Sequence, residues 1–268
     1  MTKPDTAVIP FYQVDAFTTQ PFGGNPAGVC PLTEWLPDDV LQAIATENNL
    51  SETAFFVPVE EGYQLRWCTP VVEVDLCGHA TLAASWVLFN KLGYQQETIG
   101  FHTRSGLLTV SKNGDELCMD FPAKSATKID TPDGLLEALG ITGGVTGVWK
   151  SDDLIVLVDD KTIIDGLNPD FNKLAVFDTR GVIVTAADNQ FDFVSRWFGP
   201  QVGVNEDPVT GSAHTFLAPF WAARTGKNVL TAQQGGKRKG ALRCVVRDDG
   251  RVELHGFARM TIEGIFQL

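Results

Sequence analysis

Short stretches in which apolar and polar residues alternate recur along this chain and predict a protein rich in β-strands. In residues 63–69, Tyr63, Leu65 and Trp67 alternate with polar residues, as a strand buried on one face requires. Asn113-Gly114 separates two such stretches and is a strong signal for a β-hairpin. The strands predicted in the first half cover residues 7–17, 53–57, 63–69, 98–103, 106–112 and 115–121.

Two long apolar stretches predict helices that are buried on most sides. One covers residues 78–92 and ends before Gly93, and the other covers residues 211–225 and ends before Gly226, because glycine is favoured just after a helix. A more polar helix begins at Pro37, with two acids in its first turn. The other elements predicted in the second half are a helix over residues 133–139 and strands over 154–158, 182–186 and 191–198.

The two apolar helices share their length and the glycines that border them. Gly211 follows Gly78 by 133 positions, and Gly226 follows Gly93 by the same 133 positions. Each helix is followed by a strand, a tight turn and a second strand. We interpret this as an internal duplication, in which two similar halves each surround one helix. A chance agreement of turn spacing is the alternative.

A polar, proline-led segment over residues 122–128 separates the two halves and places a domain boundary near residue 123. We therefore expect an N-terminal half-domain over residues 1–122 and a C-terminal half-domain over 123–257. The last strand, residues 258–268, is expected to join the first half-domain. Halves related by a pseudo-two-fold axis bring equivalent loops face to face, so the cleft between them is the default ligand site.

Composition and charge exclude several classes of protein. The 268 residues are 44% hydrophobic and 20% charged, which is typical of a globular protein. The net charge of −12 repels phosphate backbones, so we expect no nucleic-acid partner. The basic run at residues 237–239 is short enough to be a solvated turn.

Neither a membrane span nor a disulfide framework is expected. The longest apolar helical stretch, residues 82–89, is far shorter than the ~20 residues that cross a bilayer. The first residues lack a signal-peptide pattern, so we expect a cytoplasmic protein. The five cysteines include no C-x-x-C pair, which disfavours a structural zinc site, and no metal site is predicted. In a reducing compartment all five are expected to be thiols.

The starts of the two apolar helices are the first candidate binding sites. Small residues at Gly78, Gly211 and Ser212 expose backbone N–H groups at the positive end of each helix, and such groups bind anions. A matched pair of these ends would hold a substrate carboxylate. The alternative is that these residues only cap the helices.

Three titratable residues are candidates for acid–base chemistry. Glu52 lies between a helix and a strand beside aromatic residues, where partial burial would make it an effective general base; the alternative is a solvent-facing turn residue. His79 lies in the first turn of a helix, and we expect the helix end to keep it neutral. Asp207 precedes the second apolar helix, where an acid is also favoured by the helix dipole alone.

Cys77 allows two interpretations. At a helix N-terminus the pKa of a thiol is lowered, so Cys77 would serve as a base or nucleophile. A small buried cysteine that packs behind the helix start is equally compatible with the sequence. The equivalent position in the second half is Thr210, so a two-thiol proton relay lacks one partner.

Five segments, taken together and in order, resemble the phenazine-biosynthesis isomerase (PhzF-like) family, which has the diaminopimelate epimerase-like fold. Each segment is weak by itself, but the ordered set spans nearly the whole chain. The segments are Val14–Phe17 with Gly24–Ala27, Asn49–Thr53, Arg66–Pro70, Cys77–Leu82 and Glu206–Ala213.

The resemblance implies an α+β fold of two pseudo-symmetric domains, each with a curved mixed sheet wrapped around one helix. It implies a cofactor-free active site between the domains and a homodimer. The catalytic residues it implies are Glu52, His79 and Asp207. The substrate-binding residues are Asn25, Cys77, Gly78, Thr210, Gly211 and Ser212.

The resemblance determines the expected site better than the reaction. Our leading hypothesis is a cofactor-independent isomerase of a small carboxylate-bearing metabolite, in which Glu52 moves a proton. Related epimerases have a cysteine at both helix starts, whereas this chain has Thr210 at the second. Two alternatives stay open: a racemase or epimerase that uses Cys77 as one base, and a non-catalytic small-molecule-binding or adaptor protein.

Overall fold

A computed structural model describes residues 8–268. The elements of the first half are β1 (Val8–Ala16), β2 (Asn25–Pro31), α1 (Asp38–Asn48), β3 (Glu52–Pro58), β4 (Tyr63–Cys68), β5 (Glu73–Val74), α2 (Gly78–Asn90), β6 (Thr98–Thr103), β7 (Gly106–Asn113) and β8 (Glu116–Pro122). The elements of the second half are β9 (Thr127–Ile129), α3 (Leu135–Leu139), β10 (Val145–Lys150), β11 (Leu154–Val158), α4 (Lys161–Asp165), α5 (Phe171–Leu174), β12 (Val182–Ala187), β13 (Phe193–Gly199), β14 (Val204–Asp207), α6 (Gly211–Thr225), β15 (Val229–Gln234), β16 (Gly240–Val246), β17 (Arg251–Gly256) and β18 (Ala258–Gln267).

The chain divides into two compact units. Among the described residues, the first consists of residues 8–120 and His255–Leu268, and the second of Phe121–Leu254. Strand β18 belongs to the first unit because it pairs antiparallel with β1 along its length, from Ala16 opposite Ala258 to Val8 opposite Gln267.

The strands of the two units pair in the same order of directions. In the first unit the strands lie in the order β18-β1-β2-β3-β4-β6-β7. Neighbouring strands are antiparallel except for the parallel pairs β2–β3 and β4–β6. In the second unit the order is β9-β10-β11-β12-β13-β15-β16, and the parallel pairs, β11–β12 and β13–β15, occupy the same places in that order. A short strand, β5 or β14, adds an antiparallel partner to β4 or β13. The two halves inferred from the glycine spacing therefore have the same strand order and the same strand directions.

Helices α2 and α6 are the interiors of these units. Ten of the thirteen residues of α2 are buried, as are nine of the fifteen of α6. Helix α2 packs against β1, β2, β3 and β18, and α6 packs against β15 and β16. A helix that is apolar on all sides has no face for solvent, so it must be covered by other elements.

The helix and strand predictions are confirmed in most cases, with shifts of a few residues at their ends. Helix α2 ends at Asn90 rather than at residue 92, because the N–H groups of Lys91 and Leu92 both donate to the carbonyl of Val87. Ala7, the predicted start of the first strand, lies outside the described residues. Strands β2 and β10 are missed because prolines and glycines interrupt their apolar pattern. The other elements that the pattern does not predict are β5, β9, α4, α5, β14 and β15.

Pro219 lies inside α6 and has no N–H for the carbonyl of Thr215. That carbonyl instead accepts a hydrogen bond of 2.9 Å from the backbone N–H of Lys124. The proline therefore frees an acceptor on the helix, and the segment after β8 supplies the donor.

No helix within residues 8–268 has both the length and the apolar character that a membrane crossing requires.

We predict that Leu82→Ala lowers the free energy of unfolding by about 2–5 kcal/mol, because Leu82 is fully buried in α2 and its loss leaves a cavity. Chemical denaturation followed by circular dichroism measures this change. Leu107→Ala is the matched control, since Leu107 is 61% exposed, and it should cost less than about 1 kcal/mol. Equal losses in the two variants would contradict the placement of α2 at the centre of its unit.

Candidate active site

Four of the predicted site residues meet in the first unit around the imidazole of His79. Its Nε2 lies 3.2 Å from Oε2 of Glu52. Its Nδ1 lies 3.2 Å from Nδ2 of Asn25 and 3.5 Å from Sγ of Cys77. The imidazole is 6% exposed and the Glu52 side chain 17%, so the solvent-facing alternative for Glu52 is wrong. A carboxylate, an imidazole and a thiol in contact can hold and exchange protons.

Local backbone geometry directs Asn25 and Glu52 to this point. Gly24 has a φ of +59°, and a Cβ there would lie 2.0 Å from the carbonyl oxygen of Ala16, so only glycine allows the chain to turn into β2. Asn25 is the first residue of β2 and Glu52 the first of β3, and these strands are parallel neighbours. Helix α1 ends in a left-handed Asn49, three residues before Glu52.

Burial determines the charge of Cys77. The side chain lies at the start of α2 and is 6% exposed. Burial raises the pKa of the thiol to about 11, and the neighbouring Glu52 carboxylate contributes to this rise, so Cys77 keeps its proton at neutral pH. Of the two interpretations of this cysteine, the structure favours the buried thiol over the thiolate.

The prediction that the helix start keeps His79 neutral is wrong. Burial lowers the pKa of the imidazole, but its interactions with Cys77 and Glu52 raise it by more, so the net pKa lies well above its usual value. The side chains around His79 therefore favour the protonated ring.

Asn25 fixes the orientation of the imidazole in either charge state. Its Nδ2 donates to Nδ1 of a neutral ring, and a rotated amide would accept from the Nδ1–H of a charged one. Asn25 is fully buried, so water does not compete for this contact. Nε2 remains directed at Glu52 in both cases.

The same side chains have the composition of a metal site. One ligand atom from each of Glu52, Cys77 and His79 lies within 4.8 Å of the others. Sulfur, imidazole nitrogen and carboxylate oxygen are ligands that Zn²⁺ accepts. Binding would require Cys77 to lose its proton, which burial opposes.

Gly78 is the first residue of α2 and belongs to the first unit. The other predicted residues lie in the second unit, where Thr210 joins Asp207 to the start of α6. The hydroxyl of Thr210 donates to Oδ2 of Asp207 at 2.5 Å. The amide of Gln234 donates to the Thr210 hydroxyl at 3.0 Å and to the Asp207 carbonyl at 2.9 Å. Nδ1 of His214 lies 2.9 Å from the Thr210 carbonyl, and burial lowers the pKa of His214 to about 4. A neutral His214 therefore donates to Thr210.

Arg180 contacts the same helix start and was not predicted. Its Nη1 donates to Oγ of Ser212 at 2.7 Å, while its other nitrogens bind the fully buried Asp153 carboxylate. Gln234 was missed as well. Neither residue lies in a recognisable motif, and each reaches α6 from a distant strand or loop, so local sequence carries no signal for them.

In the part of the chain that the structure describes, the usual side-chain cap from the preceding residue is absent at both helix starts. Within the described residues, neither Cys77 before α2 nor Thr210 before α6 makes a side-chain capping bond. Neither first turn contains an acid. These observations concern Cys77 and Thr210, so the choice between anion binding and capping at Gly78, Gly211 and Ser212 stays a prediction.

Residues 14–264 match the PhzC-PhzF family of phenazine biosynthesis-like proteins. A Pseudomonas aeruginosa protein named as an uncharacterised isomerase is 60% identical over 257 residues, which cover 96% of this chain and 98% of that protein. The resemblance carried by the five sequence segments is confirmed.

Solved structures agree with the fold. The crystal structure of a PhzF-family phenazine biosynthesis protein from Enterococcus faecalis has a TM-score of 0.94 at 43% identity, and the match covers 98% of this chain and all of that one. A predicted epimerase from Pseudomonas aeruginosa has a TM-score of 0.75 at 21% identity, over 96% of this chain and 99% of that one, and this likeness concerns the fold alone. The predicted fold class, α+β and diaminopimelate epimerase-like, is confirmed.

We predict that His79 stays protonated above pH 6.5 and that Glu52→Gln lowers its midpoint. A raised pKa means that the folded state binds the proton more tightly than the unfolded state. The resulting stabilisation is full below about pH 6.5 and is lost as pH rises through the folded pKa. Histidine-selective NMR titration measures the midpoint, and His214 is an internal control because it should stay neutral. A His79 midpoint at or below 6.5 would contradict the Glu52 contact.

Proposed function

Because this chain belongs to the PhzC-PhzF family of phenazine biosynthesis-like proteins, and close relatives are named isomerases, we propose that it is a cofactor-independent isomerase. Its substrate would be a small carboxylate-bearing metabolite, such as an amino acid or a cyclic dienoic acid. The observation that carries the proposal is the contact between Glu52 Oε2 and His79 Nε2. It joins a carboxylate base to a group that can hold a second proton.

In the proposed reaction Glu52 takes a proton from an activated C–H bond and returns it to another carbon of the same molecule. The proton that Glu52 gains and the proton that it gives up balance, so the reaction is a net isomerisation. Imidazolium at His79 stabilises the Glu52 carboxylate before transfer and can hydrogen-bond to the substrate during it. Cys77 and Asn25 hold the imidazole in place from its Nδ1 side.

The helix starts support a substrate that carries a carboxylate. The first N–H groups of α2 follow Cys77 directly, so they lie next to the Glu52–His79 pair in the same unit. A helix N-terminus without an acidic side chain favours an anion from solution. The same argument supports Gly211 and Ser212 as carboxylate-binding residues, and this assignment stays a prediction. A catalytic role for Asp207 also stays a prediction, carried by the family resemblance.

We further propose that the protein forms a homodimer, as the family resemblance implies. Ile262 and Ile265 of β18 are 49% and 58% exposed, and Val8 of β1 is 56% exposed. A second copy that covered these side chains would remove apolar surface from water.

We predict that Glu52→Gln lowers the rate of proton transfer by about 10²–10⁴-fold, because the amide is not a base, while the fold and substrate binding persist. Proton NMR in D₂O, with a panel of amino acids and cyclic hydroxy- or amino-dienoates, measures deuterium incorporation. Circular dichroism and thermal shifts measure folding and binding in the same samples.

Glu60→Gln is the matched control for this test. Glu60 is exposed in the turn after β3, so the same chemical change there should leave the rate within about twofold. Exchange by a folded Glu52→Gln variant at the wild-type rate would show that another group is the base.

A racemase or epimerase that uses Cys77 as one base is the second candidate. The observation that favours it is the 3.5 Å separation between Cys77 Sγ and His79 Nδ1, across which a neutral imidazole could accept the thiol proton. The raised pKa of Cys77 opposes it, because a thiol that keeps its proton is a weak base.

We expect Cys77→Ala to retain most deuterium exchange, within about tenfold of wild type, because Glu52 rather than the thiol removes the proton. The same NMR assay measures it, with a chiral separation of the product to detect racemisation. Cys68→Ala is the matched control, since Cys68 is another buried thiol in this unit. Abolished exchange in Cys77→Ala alone, together with inverted stereochemistry in wild type, would favour the epimerase.

A further inference from the structure

A second cysteine, histidine and carboxylate lie in contact among residues that the proposed isomerisation does not use. Cys118 Sγ in β8 lies 3.5 Å from Nε2 of His255 in β17. Nδ1 of the same imidazole lies 3.4 Å from Oε2 of Glu116. All three residues belong to the first unit. The side chains therefore form a line from thiol through imidazole to carboxylate.

These three side chains are the groups that an activated nucleophile requires: a thiol, a base beside it and a carboxylate that orients the base. The imidazole nitrogen that faces Cys118 can accept the thiol proton. The carboxylate on the opposite nitrogen orients the ring and stabilises the imidazolium that forms. The imidazole side chain is 12% exposed and the Glu116 side chain 19%, so both are held in a partly desolvated setting.

Strand alternation places Cys118 on an accessible face. In β8 the residues at 117, 119 and 121 are buried, whereas those at 116, 118 and 120 are partly exposed. Glu116 and Cys118 thus share one face of the strand, and the imidazole lies against that face. Cys118 is therefore partly exposed on the face that the imidazole contacts.

None of the other four cysteines combines an imidazole contact with exposure, since Cys77 contacts His79 but is buried. Cys30, Cys68, Cys77 and Cys244 are buried, and Cys118 alone of the five is partly exposed. Burial raises the pKa of each of the four buried thiols, so they stay protonated and shielded. Selective reactivity at Cys118 follows from this contrast as well as from its contacts.

We propose that Cys118 is a nucleophilic modification site that exchanges with small-molecule disulfides of the glutathione type, with His255 as its base and Glu116 as the orienting residue. The Cys118 sulfur attacks one sulfur of the disulfide, a new S–S bond forms and the original one breaks. His255 takes the Cys118 proton and returns it to the departing thiolate. One protein thiol is thereby oxidised to a mixed disulfide, and one small-molecule thiol is released.

The test uses the native protein and the uncharged probe 2,2′-dithiodipyridine, whose released thione is measured by absorbance. We expect one of the five thiols to react in a fast phase, about tenfold faster than N-acetylcysteine at the same neutral pH. Peptide mapping should locate the adduct on Cys118, and Cys118→Ser should remove the fast phase. Glutathione disulfide should then give a single glutathionyl adduct at the same residue by intact mass.

Two variants separate activation by the imidazole from simple exposure. His255→Gln should slow the fast phase at least about tenfold, and Glu116→Gln should slow it by less, because the base remains but loses its orientation. His102→Gln is the matched control, since His102 is exposed and its Nε2 bonds to the backbone carbonyl of Glu61, and its rate should equal that of wild type.

Three results would overturn the proposal. One is a wild-type fast phase no faster than N-acetylcysteine, which needs no variant to fold. Another is an adduct that maps to a different cysteine. The third is a folded His255→Gln variant that reacts at the wild-type rate, since exposure alone would then explain the reaction.

Discussion

A helix that is apolar on every side is the constraint on which both units of this protein depend. Neither α2 nor α6 has a polar face to present to water, so strands must cover each of them. The strands around α2 come from both ends of the chain, since β18 pairs with β1. A buried helix also buries its own beginning, and its first backbone N–H groups lie where the site residues converge.

In both units strands cover an apolar helix, but the residues at the two helix starts differ. The residue before α2 is Cys77, whose thiol contacts the imidazole of His79. The residue before α6 is Thr210, whose hydroxyl is bound to the carboxylate of Asp207. An equal exchange between two thiols would need the same side chain at both positions. The difference is more compatible with one principal base, Glu52, than with a symmetric pair.

The sequence was informative where a local pattern decides the structure. Alternation in β4, the Asn113-Gly114 turn and the glycines around α6 were sufficient to predict those elements. Strand β2 was missed because its prolines and glycine obscure the pattern, and its pairing with β1 and β3 supplies the stability instead. Gln234 and Arg180 reach α6 through the fold, without any local signal. The charge of His79 was predicted wrongly for the same reason, because its distance from Glu52 depends on packing between a strand and a helix.

Pro219 has a consequence for how this protein can be divided. It leaves the Thr215 carbonyl to the backbone N–H of Lys124, which lies in the second unit but only a few residues beyond its first residue, Phe121. A fragment that began after Lys124 would lose that donor and expose a carbonyl on the helix at the centre of the unit. Expression of the second half as an independent piece, or a circular permutation between the halves, therefore has to keep the proline-led segment joined to the second unit.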